Sequence, residues 1–367
     1  MLIDIIAGAR PNFMKIAPII EAIKAANTGG YDISYRLIHT GQHYDKNMSD
    51  SFFEQLGIPL PDLNLGAGGG TQAEQTAAIM VGYEKILLEK KANLCLVVGD
   101  VTSTMACSIS AKKLCVDVAH VEAGIRSFDL TMPEEINRMV TDSITDYFFT
   151  TSEVANKNLK KAGIPSKRIL FVGNTMIDTL LKNRPRFEQP AVWKTLGLTD
   201  KKYFVMTLHR PANVDQAEKL RGLIHEITSN TGGGAVVFPV HPRTAKIFAD
   251  LGISAPNLHT IEPLGYLEFN YLVERAQGVI TDSGGITEET TVMGVPCLTL
   301  RDNTERPETI TVGTNELIGT DPKAIAPALQ KLLAGNWKKG GIPPLWDGNT
   351  ATRIVEQLIK IYKIKKK

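Results

Sequence analysis

Short, almost unbroken apolar runs alternate with longer stretches of helical periodicity, and this alternation limits the fold more than any other feature. In the first half the runs are Leu2–Ala7, Ile33–His39, Leu94–Val98, Val116–Val121, Tyr147–Thr150 and Ile169–Val172. A strand that is apolar at consecutive positions needs cover on both faces. Helical patterns at Phe13–Ala26, Gln72–Lys90, Ser103–Leu114, Glu135–Ile144 and Glu153–Ala162 can supply it. The βαβα order predicts an α/β fold with a parallel sheet and right-handed crossovers. Around Asn183–Pro190 the rhythm breaks, with two prolines and mixed charge. A second series then runs through Tyr203–Leu208, Ala235–Val240, Leu258–Ile261, Gly278–Thr281 and Cys297–Leu300, and the chain ends in a helical stripe at Thr350–Lys363. With 367 residues in all, two doubly wound, Rossmann-like parallel-sheet domains are expected, over residues 1–180 and 181–349, followed by a final helix at 350–367.

Composition removes several function classes. Lys+Arg 41 against Asp+Glu 39 gives a net charge of +2, so no global basic field points to nucleic acid. The tail from Lys360 to Lys367 reads as a solvated helix end. No apolar stretch reaches the ~20 residues of a membrane span, and the N-terminus lacks the basic region of a signal peptide. Cys95, Cys107, Cys115 and Cys297 form no Cys-x-x-Cys pair and read as buried free thiols in a reducing, cytoplasmic compartment. No metal site is expected, because the histidines form no ligand-spaced cluster. Hydrolase elbows and Walker loops are also missing.

In doubly wound folds, ligands bind beyond the carboxyl ends of the strands, and the chemistry-bearing residues lie there. Gly8-Ala9-Arg10-Pro11-Asn12, with Lys15 downstream, is either an ordinary βα turn or a phosphate grip. Gly99-Asp100 precedes three hydroxyl residues, which suit an N-cap or an active edge. Glu122 ends the apolar run His120-Val121, and a carboxylate at the end of a buried strand needs a partner or a task. Glu134 opens the helix that carries Arg138. Carboxylates grouped on one rim can hold separated pKa values and supply both an acid and a base. In the second half, Thr281-Asp282-Ser283-Gly284-Gly285 leads into a helix, giving free N–H donors for phosphate, with Glu288 or Glu289 one turn on for ribose hydroxyls. Arg301 to Glu308 adds two arginines that suit an anion or surface ion pairs. The strand-terminal His209 and His241 suit pyrophosphate or a structural role.

Taken together and in order, Gly8–Pro18, Thr40–His43, Gly99–Thr104, His120–Arg126, Pro133–Arg138, Gly173–Asp178, His209–Arg210, Pro239–His241, Thr281–Glu289 and Arg301–Glu308 resemble the non-hydrolysing UDP-N-acetylglucosamine 2-epimerase family. The resemblance implies a glycosyltransferase-B type fold, with a site in the interdomain cleft and the last helix packed back on the first domain. It implies reversible epimerisation at C2 of UDP-N-acetylglucosamine, through loss of UDP to a 2-acetamidoglucal and its re-addition. It implies no cofactor, a UDP-sugar as partner, a homodimer, and service to polysaccharide biosynthesis. Carried over by position, the catalytic set is Asp100, Glu122, Glu134 and His209, with Lys15 and Arg138 nearby. Arg10 and His209 would contact the diphosphate, and Ser283, Gly284 and Gly285 would bind phosphate. Glu289 would hold the ribose, Arg306 would close the UDP site, and Leu264 and Phe269 would border the uracil.

Two departures shape this reading. The stretch from Ile125 to Met132 is shorter than in common bacterial members and looks like the archaeal-type branch. Gln42 and His43 match part of the pattern for a second, activating UDP-sugar, but Asp45 stands where a Gln is typical. A related branch acts on UDP-2,3-diacetamido-glucuronic acid and shares these motifs. The rival outside the family is a UDP-sugar glycosyltransferase of the same fold, against which the three carboxylates argue.

Overall fold

The structure is a computed structural model that describes all residues except 42–52, 54, 241 and 367. The side chains of Arg10, Pro211, Ala212, Pro242 and Arg243 also lie outside the description. The chain divides into two units, Met1–Lys182 with Pro344–Lys367, and Asn183–Pro343.

In the first unit the order is β1 (Leu2–Ala7), α1 (Arg10–Thr28), β2 (Ser34–His39), β3 (Leu63–Asn64), α2 (Gln72–Glu89), β4 (Leu94–Val98), α3 (Thr102–Lys113), β5 (Asp117–Val121), α4 (Pro133–Ile144), β6 (Tyr147–Thr150), α5 (Glu153–Lys161), β7 (Ile169–Phe171) and α6 (Thr175–Asn183). Among the described residues these strands form one seven-stranded sheet, ordered β3-β2-β1-β4-β5-β6-β7. Every pairing in it is parallel. The strand order reverses between β1 and β4, and such a switch point opens a crevice at the strand ends.

The second unit carries α7 (Ala191–Thr195), β8 (Tyr203–Thr207), α8 (Pro211–Val214), α9 (Ala217–Asn230), β9 (Ala235–Pro239), α10 (Pro242–Asp250), β10 (Leu258–Ile261), α11 (Tyr266–Arg275), β11 (Gly278–Thr281), α12 (Gly284–Met293), β12 (Cys297–Thr299), α13 (Pro307–Thr311), β13 (Asn315–Leu317) and α14 (Ile325–Leu333). Its parallel sheet runs β10-β9-β8-β11-β12-β13, switching between β8 and β11. The reason for its unbroken apolar runs is visible in β8. Phe204 and Met206 face a core with Leu220, Ile224 and Leu329, whereas Tyr203 and Val205 face another with Leu272, Val273 and Val279.

The chain then returns to the first unit. Trp346 is fully buried, and its Nε1 donates to Thr151 O at 3.0 Å. The last helix, α15 (Thr350–Ile361), buries Ile354, Val355 and Leu358 and packs along α1. Asp178 on α6 caps it from outside, accepting from the Thr350 and Ala351 N–H groups at 3.1 and 2.7 Å. Burial raises the Asp178 carboxyl above the usual aspartate range, although these two bonds oppose the shift.

Three expectations need correction. The edge strands β3 and β13 carry no apolar run and were invisible to the pattern; both residues of β3 are exposed. Cys115 is exposed, whereas Cys95, Cys107 and Cys297 are buried. The lysine tail is not wholly solvated: Lys366 forms a β-bridge with Tyr31 and sets its ammonium 5.3 Å from that ring.

Candidate active site

At the switch point of the first sheet, the β1–α1 turn is tied back on itself. Asn12 Oδ1 accepts from the Gly8 and Ala9 N–H groups, and Asn12 Nδ2 donates to Val98 O at 3.1 Å, joining this turn to the end of β4. Gly8 must be glycine here, because a Cβ would lie 1.9 Å from Ser103 Oγ. Gly99, immediately beyond β4, has φ +68 and a Cβ position only 3.0 Å from Lys15 Nζ.

Lys15 pairs with Glu122, Nζ to Oε2 at 2.7 Å, with both side chains almost wholly buried. Glu122 takes φ +69, a left-handed conformation that costs a non-glycine residue about 1–2 kcal/mol. Strain of this kind persists only where surrounding contacts enforce it, and it clusters at functional sites. Asp100, which keeps some solvent exposure, is gripped in a fork by Arg138 at 2.7 and 3.1 Å. The fold thus gathers Lys15, Glu122, Asp100 and Arg138 around Gly99. Glu134 lies half-buried at the start of α4 and makes no hydrogen bond or ion pair among the described residues. Its neighbour Glu135, which the sequence reading passed over, is the residue committed to structure. It pairs with Arg138 at 2.5 Å and accepts from the Ser127 and Phe128 N–H groups.

In the second unit the equivalent switch point is organised by Asp282, fully buried at the end of β11. It accepts from the backbone N–H groups of His209 and Arg210 and from Asn213 Nδ2, and it meets His209 Nδ1 at 2.7 Å. Burial pushes its pKa up, but His209 and the other donors outweigh that and hold it below the usual aspartate range. The His209 ring is thereby fixed by Nδ1 while most of its side chain stays exposed. Ser283, Gly284 and Gly285 are half-buried at the start of α12, and the Ser283 hydroxyl makes no capping bond. The Arg301–Glu305 ion pair stands against Gly284, whose Cβ position is 3.3 Å from Glu305 Oε1.

The two glutamates of α12 separate in role. Glu288 takes Arg306 as an ion-pair partner inside the unit. Glu289 accepts from Tyr266 OH at 2.9 Å and is pushed up to about 7, chiefly by burial. Leu264 and Phe269 are partly buried and pack on the same core as Ile286 of α12. Arg10 begins α1, but its side chain lies outside the description. Gln42, His43, Asp45 and His241 also fall outside the described residues. Asp282, Glu135 and Tyr266 were missed because their importance rests on partners distant in the chain. The one local signal was the i,i+3 spacing of Glu135 and Arg138.

Open parallel sheets with glycine turns and ionisable side chains gathered at their switch points define a doubly wound α/β enzyme. The model of the UDP-N-acetylglucosamine 2-epimerase family matches residues 25–359. The UDP-N-acetylglucosamine 2-epimerase of Methanocaldococcus jannaschii is 42% identical, over 98% of this chain and 99% of its own. The UDP-2,3-diacetamido-2,3-dideoxy-D-glucuronate 2-epimerase of Pseudomonas aeruginosa is 40% identical, over 98% and 100%. The crystal structure of the M. jannaschii enzyme in complex with UDP-GlcNAc and UDP superposes with a TM-score of 0.88 at 41% identity, covering 98% of this chain and all of that one. The Neisseria meningitidis enzyme bound to UDP-GlcNAc gives 0.88 at 31%, with the same coverage. The chain belongs to the UDP-N-acetylglucosamine 2-epimerase family. It is an isomerase with a fold of the glycosyltransferase-B type.

Proposed function

We propose that the enzyme interconverts UDP-N-acetylglucosamine and UDP-N-acetylmannosamine without hydrolysing either. A base removes the proton at C2 while the C1–O bond to UDP breaks, leaving 2-acetamidoglucal and UDP. A proton then returns to the opposite face of C2 as UDP re-adds at C1. No electron leaves the substrate, so the chemistry is complete without an oxidant. Two tasks follow: stabilising negative charge on a departing diphosphate, and moving protons at carbon.

The observation that carries this reading is the buried Lys15–Glu122 pair over Gly99, adjoining the Asp100–Arg138 fork. Proton transfer at C2 is assigned to Asp100, Glu122 and Glu134. The diphosphate is assigned to Ser283, Gly284, Gly285, His209 and Arg10, and the ribose to Glu289. Arg306, Leu264 and Phe269 complete the nucleotide side. In deuterated water, either epimer should acquire deuterium at C2 and yield the other epimer, with no accumulation of free UDP. Product without C2 deuterium would reject the reading, and stoichiometric UDP release would point to a hydrolysing enzyme.

The 40% identity to the P. aeruginosa enzyme supports a second substrate reading, UDP-2,3-diacetamido-glucuronic acid, with the same C2 chemistry. Rates with the two sugars decide between them. We also propose a cytoplasmic homodimer that feeds polysaccharide biosynthesis. Free thiols suit a reducing compartment. Exposed Val81 and Leu88 on α2, Ile136 and Met139 on α4, and Phe128 and Leu130 before α4 offer apolar surface for self-association.

A further inference from the structure

His120 lies within β5, two residues before Glu122, and is fully buried. Its Nε2 is 2.8 Å from Gly99 O, and its Nδ1 is 2.7 Å from Asp142 Oδ1 on α4. Asp142 uses its other oxygen to accept from the Gly124 N–H at 3.0 Å and to pair with Arg126 at 2.7 Å. A carbonyl oxygen can only accept, so Nε2 carries a proton. Although burial opposes it, His120 and Arg126 hold the Asp142 carboxyl below its ordinary range, so it too is an acceptor. Both ring nitrogens are therefore engaged, and neither is left to meet a substrate.

These bonds reach Gly99, Glu122 and Gly124, whose backbones are held in left-handed conformations at the site. Gly99 precedes Asp100, and its N–H donates to Val121 O at 3.0 Å. Glu122 sits between His120 and Gly124, both of which are fastened to Asp142. We infer that His120 and Asp142 form a positioning bracket, which ties the end of β4 to the end of β5 and so fixes where the Asp100 and Glu122 carboxylates stand. The inference rests on the proposed C2 chemistry, and its action is through geometry. Displacing a reacting group by about 1 Å can cost on the order of a hundredfold in rate.

The test compares His120→Gln and Asp142→Asn with wild type. For each, C2 deuterium wash-in gives kcat and KM, calorimetry gives UDP affinity, and thermal unfolding reports on the fold. Each variant should lose about tenfold to a hundredfold in kcat, with UDP affinity within about twofold of wild type, and the double variant should lose little more than the worse single. Wild-type kcat in the variants, or UDP affinity falling in step with kcat, would overturn the bracket. Should His120→Gln fail to fold, Asp142→Asn carries the test; should neither fold, the pair is core structure and the inference fails. A readout independent of turnover is nitrogen NMR of 15N-labelled histidine in wild-type enzyme. A proton on Nε2 of His120 is expected from its bond to the Gly99 carbonyl, and a ring protonated at Nδ1 alone would overturn the inference. An active-site reading that fails shows itself differently, as wild-type enzyme with no C2 exchange from either UDP-sugar.

Discussion

Glu122 is the residue on which structure and chemistry press hardest. It is buried, strained at φ +69 and joined to Lys15. Glu122→Gln keeps its size and removes its charge. The expected result is a loss of about a hundredfold or more in C2 deuterium wash-in, with UDP affinity nearly unchanged by calorimetry. Equal losses in both would mean that Glu122 serves nucleotide binding instead. Glu289 offers a prediction in pH. Its folded value of about 7 lies above the unfolded one, so the folded state holds the proton more tightly. The stability it contributes is full below the ordinary glutamate range and is lost as pH rises through about 7. Glu289→Gln should remove that dependence. In unfolding experiments without UDP, wild type should lose up to about 3 kcal/mol relative to the variant between acidic and mildly alkaline pH. Parallel pH profiles would contradict the assignment.

At the scale of elements, local turns and caps set the positions of these side chains. Gly8→Ala would drive a methyl into Ser103 and Thr40, both buried. Overpacking of this kind costs about 1–3 kcal/mol, measurable in denaturant unfolding. Asp178→Ala would leave the Thr350 and Ala351 N–H groups without their acceptor at the start of α15. A loss of about 1–2 kcal/mol is expected, with faster proteolysis of the C-terminal segment than of wild type. Unchanged stability would mean that Trp346 and the buried face of α15 dock this segment without the cap.

The strands of the inner sheet were legible because burial on both faces writes a continuous apolar run, as in Leu94–Val98. The edge strands Leu63–Asn64 and Asn315–Leu317 left no such mark, since neither holds a run of apolar residues. The site divides in the same way. Asp100 and Glu122 stand just beyond strand ends, and Lys15 and Arg138 lie more than a turn inside helices that follow such ends, where chain order already pointed to function. Glu135 and Tyr266 act through partners that only folding supplies, and the part His120 plays depends on Asp142, 22 residues away.

For the whole molecule, the exposed apolar side chains of α2 and α4 predict self-association. Light scattering should give twice the 40.1 kDa chain mass, and Ile136→Asp with Met139→Asp should return it to one. A single-chain mass for wild type would refute the homodimer. The proposed reaction is the larger claim: UDP leaves C1 and returns while a proton is exchanged at C2. Positional isotope exchange tests it most directly. UDP-sugar labelled with 18O in the bridge between C1 and the β-phosphorus is incubated with enzyme, and recovered substrate is examined by phosphorus NMR. Cleavage and return of UDP predict that the label scrambles into the non-bridging β-phosphate positions, no more slowly than deuterium enters C2. Label kept in the bridge during epimerisation would contradict the account.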